Sequence, residues 1–159
     1  MKKFCLTLIF VGRTSDNFIK EGCGVYEERI RRYADLNLVV VPEERVLYKG
    51  RKDYILKQEG RRIREKVRPD VFGVALDEGG KPLSSEGFAR SLEKWSDSGS
   101  REIAFLLGGP YGLEEALKEE ADFRLSLSPM TLAHGMARLL LLEQIYRGFT
   151  LLRGEPYHK

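Results

Sequence analysis

Cysteine and histidine are scarce in this 159-residue chain, at two each, and tryptophan occurs once. Cys5 sits in an apolar run and Cys23 in a helical pattern. Neither has a neighbour at metal or redox spacing, so a disulfide framework or zinc ribbon is excluded and both read as core thiols of a reducing, cytoplasmic compartment. With only His134 and His158 available, a histidine-rich metal centre is excluded as well, and no metal is expected. No stretch approaches the roughly 20 apolar residues that span a bilayer. The start, Met1-Lys2-Lys3 followed by Phe4 to Val11, imitates a secretory leader but lacks a small-residue cleavage pattern, and reads as a buried first strand. G-x-G-x-x-G and G-K-[ST] are missing, which excludes a dinucleotide fingerprint and a Walker loop.

What is present is a soluble balance of 42% hydrophobic and 32% charged residues, long enough for one domain over residues 1–159. The net charge of +3 hides an asymmetry. Residues 1–70 hold 17 Lys/Arg against 11 Asp/Glu, whereas residues 71–159 hold 10 against 13. Clusters at Arg29, Arg31 and Arg32, at Lys49, Arg51 and Lys52, and at Arg61, Arg62, Arg64, Lys66 and Arg68 are a candidate footprint for phosphates. The alternative for each is a solvated helix face paired with Glu27, Glu28, Glu59 and Glu65.

Four apolar runs of strand length recur: Phe4 to Val11, Asn37 to Val41, Val71 to Leu76 and Ile103 to Leu107. Runs apolar on both faces are what a parallel sheet covered by helices demands. Helical patterns lie between them, over Asp16 to Ala34, Asp53 to Val67 and Ser85 to Ser98. A short polar helix is expected over Glu114 to Ala121 and a last short strand over Phe123 to Leu127. The fold class is therefore α/β, a parallel sheet flanked by helices. From Met136 to Leu152 the pattern leaves almost no polar face, which predicts a helix buried on more than one side. One small monomer offers little to cover it, so a homodimer is expected to bury it between subunits.

Ligands of open parallel sheets sit beyond the carboxyl ends of the strands. Two strands here run into glycine loops, Leu76 into Asp77-Glu78-Gly79-Gly80 and Leu107 into Gly108-Gly109-Pro110-Tyr111-Gly112. A third turn, Ser126 to Leu132, adds main-chain groups beside Met130 and Leu132, a mix suited to an adenine-like ring held by backbone hydrogen bonds and apolar packing. No Ser-His-Asp order or Cys-His pairing near these loops favours a hydrolase, and group transfer fits better.

The strings GGPYGL, LSLSPMTLAHGMARLLLLEQIYRGF and RGEPYHK, with VALDEGGKPLSSEGFA in the middle, resemble the family of ribosomal RNA large subunit methyltransferase H, small members of the SPOUT class. The resemblance spans essentially the full chain and departs from many relatives at Ala133 and Gly135. It implies a C-terminal trefoil knot, a homodimer, S-adenosylmethionine bound in the knot, and methylation of N3 of a pseudouridine in large-subunit ribosomal RNA within ribosomes. Carried over by position, the cofactor site is Leu76, Gly108, Leu127, Ser128, Pro129, Met130, Thr131 and Leu132. The N3 proton needs an acceptor or a group that stabilises the anion, and His134, Arg147, Tyr157 and His158 are the candidates. Competing roles are a helix cap for His134, an ion pair with Glu143 for Arg147, and a loose terminus for the last two. A SPOUT enzyme acting on transfer RNA, a non-catalytic ribosome-binding module and a generic nucleotide binder are the rival functions.

Overall fold

The computed structural model of the protein describes residues 3–45 and 51–158. Met1, Lys2, Lys49 and Lys159 lie outside the described residues. The elements in chain order are β1 (Phe4–Val11), α1 (Asn17–Ile30), β2 (Ala34–Val41), α2 (Lys52–Arg64), β3 (Val71–Pro82), α3 (Ser85–Ser96), β4 (Glu102–Leu107), α4 (Glu115–Glu120), β5 (Phe123–Ser126) and α5 (His134–Leu152). All five strands pair in parallel in the order β2-β1-β4-β3-β5. The expected α/β sheet flanked by helices is thus the observed architecture.

Strand side chains alternate between faces, and the two faces carry separate cores. Leu6, Leu8 and Phe10 of β1 pack with Ile19, Cys23, Leu92, Leu141, Leu142 and Ile145, which places α1, α3 and α5 on one face. Ile9 and Val11 pack with Ile63 and Leu117, which places α2 and α4 on the other. Crossovers moving toward β2 use the first face and those moving toward β5 use the second. That is one constant crossover hand.

Local chemistry sets several boundaries. Ser84 caps α3, its Oγ accepting from the Gly87 amide at 3.0 Å. α1 stops at Ile30, four residues short of the expected end, because Ala34 already pairs with Phe4 at the start of β2. β3 runs past its expected end: the chain leaves the ladder after Leu76 and rejoins it at Lys81, both registering with Leu125. Residues 77–80 form a four-residue irregularity in the ladder between β3 and β5.

Two expectations are corrected here. α5 is covered within one protomer, flanked by α1 and α3 with Leu141, Leu142, Ile145 and Phe149 buried, so its apolar character does not by itself demand a second subunit. Cys5 is only half-buried, unlike Cys23, because the β1/β2 end of the second face extends beyond the cover of α2 and α4.

Candidate cofactor site at the carboxyl ends of the strands

A cavity of about 360 Å³ opens where β3, β4 and β5 end. Three loops wall it: Leu76 to Glu78, Leu107 to Leu113 and Leu125 to His134, with Lys52 and Lys118 reaching in from α2 and α4. The β4 loop requires glycine at two positions. A Cβ at Gly108 would lie 2.1 Å from the Gly112 carbonyl oxygen, and Gly112 itself holds φ +81°. The Gly112 amide donates to the Gly109 carbonyl at 3.0 Å, closing the turn.

The last loop, residues 127–133, is neither helix nor strand, so its main-chain donors and acceptors are not spent on a ladder. Side chains pin it. Ser126 Oγ donates to the Glu78 carbonyl at 3.0 Å, Thr131 Oγ1 donates to Glu78 Oε2 at 2.8 Å, and the Met130 amide donates to Ser128 Oγ at 3.0 Å. Leu76, Leu107, Leu127, Leu132 and Ala137 supply apolar wall. Main-chain polarity beside aliphatic side chains suits a planar heterocycle held edge-on by backbone groups.

Asp77 anchors the near wall. Burial alone pushes its carboxyl up, but hydrogen bonds from Arg124, the Gly79 amide and Lys118 outweigh that and hold it below the ordinary carboxylate range. Arg124 Nη2 donates to Oδ2 at 2.8 Å and Lys118 Nζ to Oδ1 at 3.3 Å.

Of the residues expected to hold the cofactor, Leu76, Gly108, Leu127, Ser128, Met130, Thr131 and Leu132 line this cavity. Pro129 does not and points to solvent. The four candidate catalytic residues are not brought together. His134 lines the cavity from the first turn of α5, without capping that helix, whose leading residue is Ala133. Arg147 lies 13 residues further along the same helix, roughly 20 Å away at the helical rise, and the tail docks beside it.

Around Arg147 the tail is ordered. Arg147 Nη2 meets Glu143 Oε1 at 2.5 Å, the ion pair weighed from sequence, and its guanidinium lies 4.7 Å from the Tyr157 ring centroid. Tyr157 donates to Glu143 Oε1 at 3.1 Å, and burial with contacts to Tyr26 and Glu143 pushes its phenol well up. His158 contacts Arg147 Nη1 at 3.3 Å and Glu86 Oε1 at 2.9 Å. The loose-terminus alternative fails for Tyr157 and His158.

The basic clusters also sort themselves. Arg62 pairs with Glu44, and Arg64 with Glu114 and Glu120, so both are structural. The partners are not those expected, because Glu59 is buried and accepts from the Glu44 amide at 3.0 Å. Sequence reading left Asp77, Glu78, Lys52 and Lys118 out of the site. For the first two the signal was the glycine pair after Leu76; for Lys118, on a polar helix, there was none.

Comparison with known proteins decides the family. The profile described as "Predicted SPOUT methyltransferase" matches residues 4–158. A ribosomal RNA large subunit methyltransferase H from Syntrophotalea carbinolica is 47% identical over 158 residues, covering 98% of each chain. This chain belongs to that family of SPOUT methyltransferases. The protein of the same name from Alkaliphilus oremlandii is 40% identical over 97% of this chain and 99% of its own. Among solved structures, a probable methyltransferase from Bordetella pertussis superimposes with a TM-score of 0.55 at 14% identity, covering 92% of this chain and 96% of that one. A probable methylase family protein from Haemophilus influenzae gives 0.54 at 14% identity, covering 98% and 70%. These two likenesses speak to the fold. Among the described residues, no helix is long and apolar enough to cross a membrane, and no group of three or more His, Cys, Asp or Glu is placed to hold a metal ion.

Proposed function

We propose that this single-domain methyltransferase uses S-adenosylmethionine to methylate N3 of a pseudouridine in large-subunit ribosomal RNA, working on ribosomes in the cytoplasm. The observation that carries the reading is the three-loop cavity, whose lining joins main-chain groups of the Gly108 and Leu127–Leu132 loops to an aliphatic wall at the strand ends. Leu76, Gly108 and the last loop would hold the cofactor's adenosine portion, and the cofactor supplies an electrophilic methyl group on a sulfonium. The relatives' shared name supplies the RNA. We place the family's trefoil knot in the C-terminal third, where β5 pairs on the far side of β3 and α5 returns to pack between α1 and α3.

The chain's own residues then have three tasks. The cavity wall would orient the methyl group toward its mouth, and fixing two reactants in a near-attack geometry can supply as much as about 7–11 kcal/mol of barrier lowering. The imide proton at N3 leaves as the N–C bond forms, and His134, at the cavity, is in place to accept it or to stabilise the anion. Arg147, Tyr157 and His158 stand too far from His134 on the same protomer to share that work. In the proposed homodimer a second copy presents them.

The homodimer proposed here has surface to form on. Phe18 and Val25 of α1 and Met136 of α5 are exposed apolar side chains on two helices that pack against each other, and Gly22 between the first two admits Leu139. Across this surface, the ordered tail of one protomer would face the cavity of its partner.

The test is transfer of labelled methyl from S-adenosylmethionine to assembled ribosomes, free large subunits, naked ribosomal RNA and transfer RNA from cells lacking this protein. Label confined to one large-subunit pseudouridine is the expected result and identifies the substrate form. Label on transfer RNA alone, or none on any RNA, would overturn the proposal.

A further inference from the structure

Asp77, in the cavity wall, is used neither by the carried-over positions nor by the proposed proton transfer. Residues 77–80 leave the sheet between two positions that register with the same residue, Leu125, so the ladder itself does not fix them. Gly80 is pressed against β5, where a Cβ would lie 2.7 Å from the Arg124 carbonyl oxygen, so only glycine closes the excursion. What holds its outer part is the Asp77 carboxylate. One oxygen accepts from Gly79 N at 3.2 Å and Lys118 Nζ at 3.3 Å, and the other from Arg124 Nη2 at 2.8 Å. Arg124 is steadied in turn by Glu115 at 3.0 Å. The Asp77 side chain is only 10% exposed. Three elements, β3, α4 and β5, thus converge on one carboxylate at the cavity's edge.

We propose that Asp77 is a positioning residue for the cofactor: through Arg124, Lys118 and the Gly79 amide it fixes the main chain that follows Leu76 and so presets the near wall of the cavity. This rests on the reading of the cavity as the S-adenosylmethionine site. Charge-assisted hydrogen bonds are the strong ones, and a carboxylate shared among a guanidinium, an ammonium and an amide holds a loop where neutral groups would not. Preset walls bind more tightly because less ordering remains to be done when the ligand arrives. The excursion also carries Glu78, which accepts from Ser126 and Thr131, so its placement sets that of the last loop.

The experiment is calorimetric titration of the full-length protein with S-adenosylmethionine, beside steady-state transfer to ribosomes and thermal unfolding. Asp77→Asn keeps the shape and removes the charge. It is expected to raise Kd and KM for the cofactor roughly tenfold or more, leave kcat at saturating cofactor within about twofold, and lower Tm modestly, because the same bonds also join β3 to α4 and β5. Asp77→Glu, which retains the charge, should recover part of the affinity. If Asp77→Asn folds poorly, Arg124→Met asks the same question from the other partner, with the same direction of shift in Kd. An unchanged Kd in both Asp77→Asn and Arg124→Met would overturn the assignment, as would equal losses in kcat and Tm without a selective loss of cofactor affinity. A wild-type protein with no affinity for S-adenosylmethionine would strike down the cavity reading and this inference together. A wild-type protein that binds it but methylates no large-subunit RNA strikes only the substrate reading, and the calorimetric comparison still decides for or against Asp77.

Discussion

Arg138 of α5 donates from Nη2 to the carbonyl oxygen of Gly12 at 2.8 Å, tying the final helix to the end of the first strand across 126 residues of chain. The same nitrogen reaches the Val11 carbonyl, and the guanidinium lies 4.7 Å from the Phe10 ring centroid. Among the described residues its Nε has no hydrogen-bond partner, and burial pulls its proton affinity down. Val11 is the last β1 residue in register with β2 and Gly12 lies just beyond the strand, and Arg138 supplies a donor to both carbonyls.

Arg138→Met is therefore expected to destabilise the fold by roughly 2 kcal/mol, because two buried carbonyls lose their donor while the cost of a buried cation is also removed. Denaturant unfolding monitored by Trp95 fluorescence measures it. A midpoint equal to wild type would show that Arg138 does not hold the β1 end.

Gly108→Ala tests the glycine loop directly. The new Cβ would fall 2.1 Å from the backbone oxygen of Gly112, and backbone cannot swing aside as a side-chain tip can. The loop must open, so affinity for S-adenosylmethionine should fall by roughly tenfold or more. Gly24→Ala on α1, where nothing lies within 4 Å of the added atom, is the matched control and should bind like wild type. Equal affinity in both variants would place the cofactor elsewhere.

The sheet was legible in the sequence because strands buried on both faces leave uninterrupted apolar runs, as in Phe4 to Val11, and because glycine after a strand marks a turn at the ligand end. The ends of elements were not. That α1 yields to β2 at Ala34 is decided by pairing with Phe4, a contact 30 residues away in sequence. Nor did the pattern of α5 reveal what covers it, since helix periodicity records that a face is apolar and not whether α1, α3 or a second subunit lies against it. The cavity lining was legible where loops follow strands, at Gly108 and at Leu127, Ser128, Met130, Thr131 and Leu132. It was illegible where charged side chains meet: Asp77, Lys118 and Arg124 lie on three different elements, and only the strand order brings them together. The separation of His134 from Arg147, Tyr157 and His158 is likewise a matter of helix length, invisible in a list of candidate residues.

That separation makes a prediction about the proposed dimer. A protein truncated after Pro156 should bind S-adenosylmethionine as wild type does yet transfer no methyl group, and His134→Ala should also be inactive. Mixed and allowed to exchange subunits, the two inactive proteins should regain activity, because one of the two shared sites in a mixed dimer pairs an intact His134 with an intact tail. Full subunit exchange gives mixed dimers in half the population, so recovery of roughly a quarter of wild-type activity is expected from random pairing. Met136→Glu should abolish both the dimer, seen by light scattering, and the recovery. A concentration-independent monomer mass for the wild type, or no recovery on mixing, would reject the shared site.

Alkaline stability offers a separate probe of the turn that leads into β2. Burial, with the Glu155 carboxylate that accepts its hydroxyl, pushes the Tyr33 phenol up to about 12. In the unfolded chain the same group releases its proton near its ordinary value of about 10. Between these two values the folded state holds a proton that the unfolded state has lost, so stability falls as pH rises through that window, and the contribution is fully present below about pH 10. Tyr33→Phe removes the titrating group and should flatten the decline between pH 10 and 12, measured as the change in unfolding midpoint. It should also lower the midpoint at neutral pH, because Glu155 loses its donor. An equally steep alkaline decline in the variant would assign the loss to other groups and separate Tyr33 from the pH response.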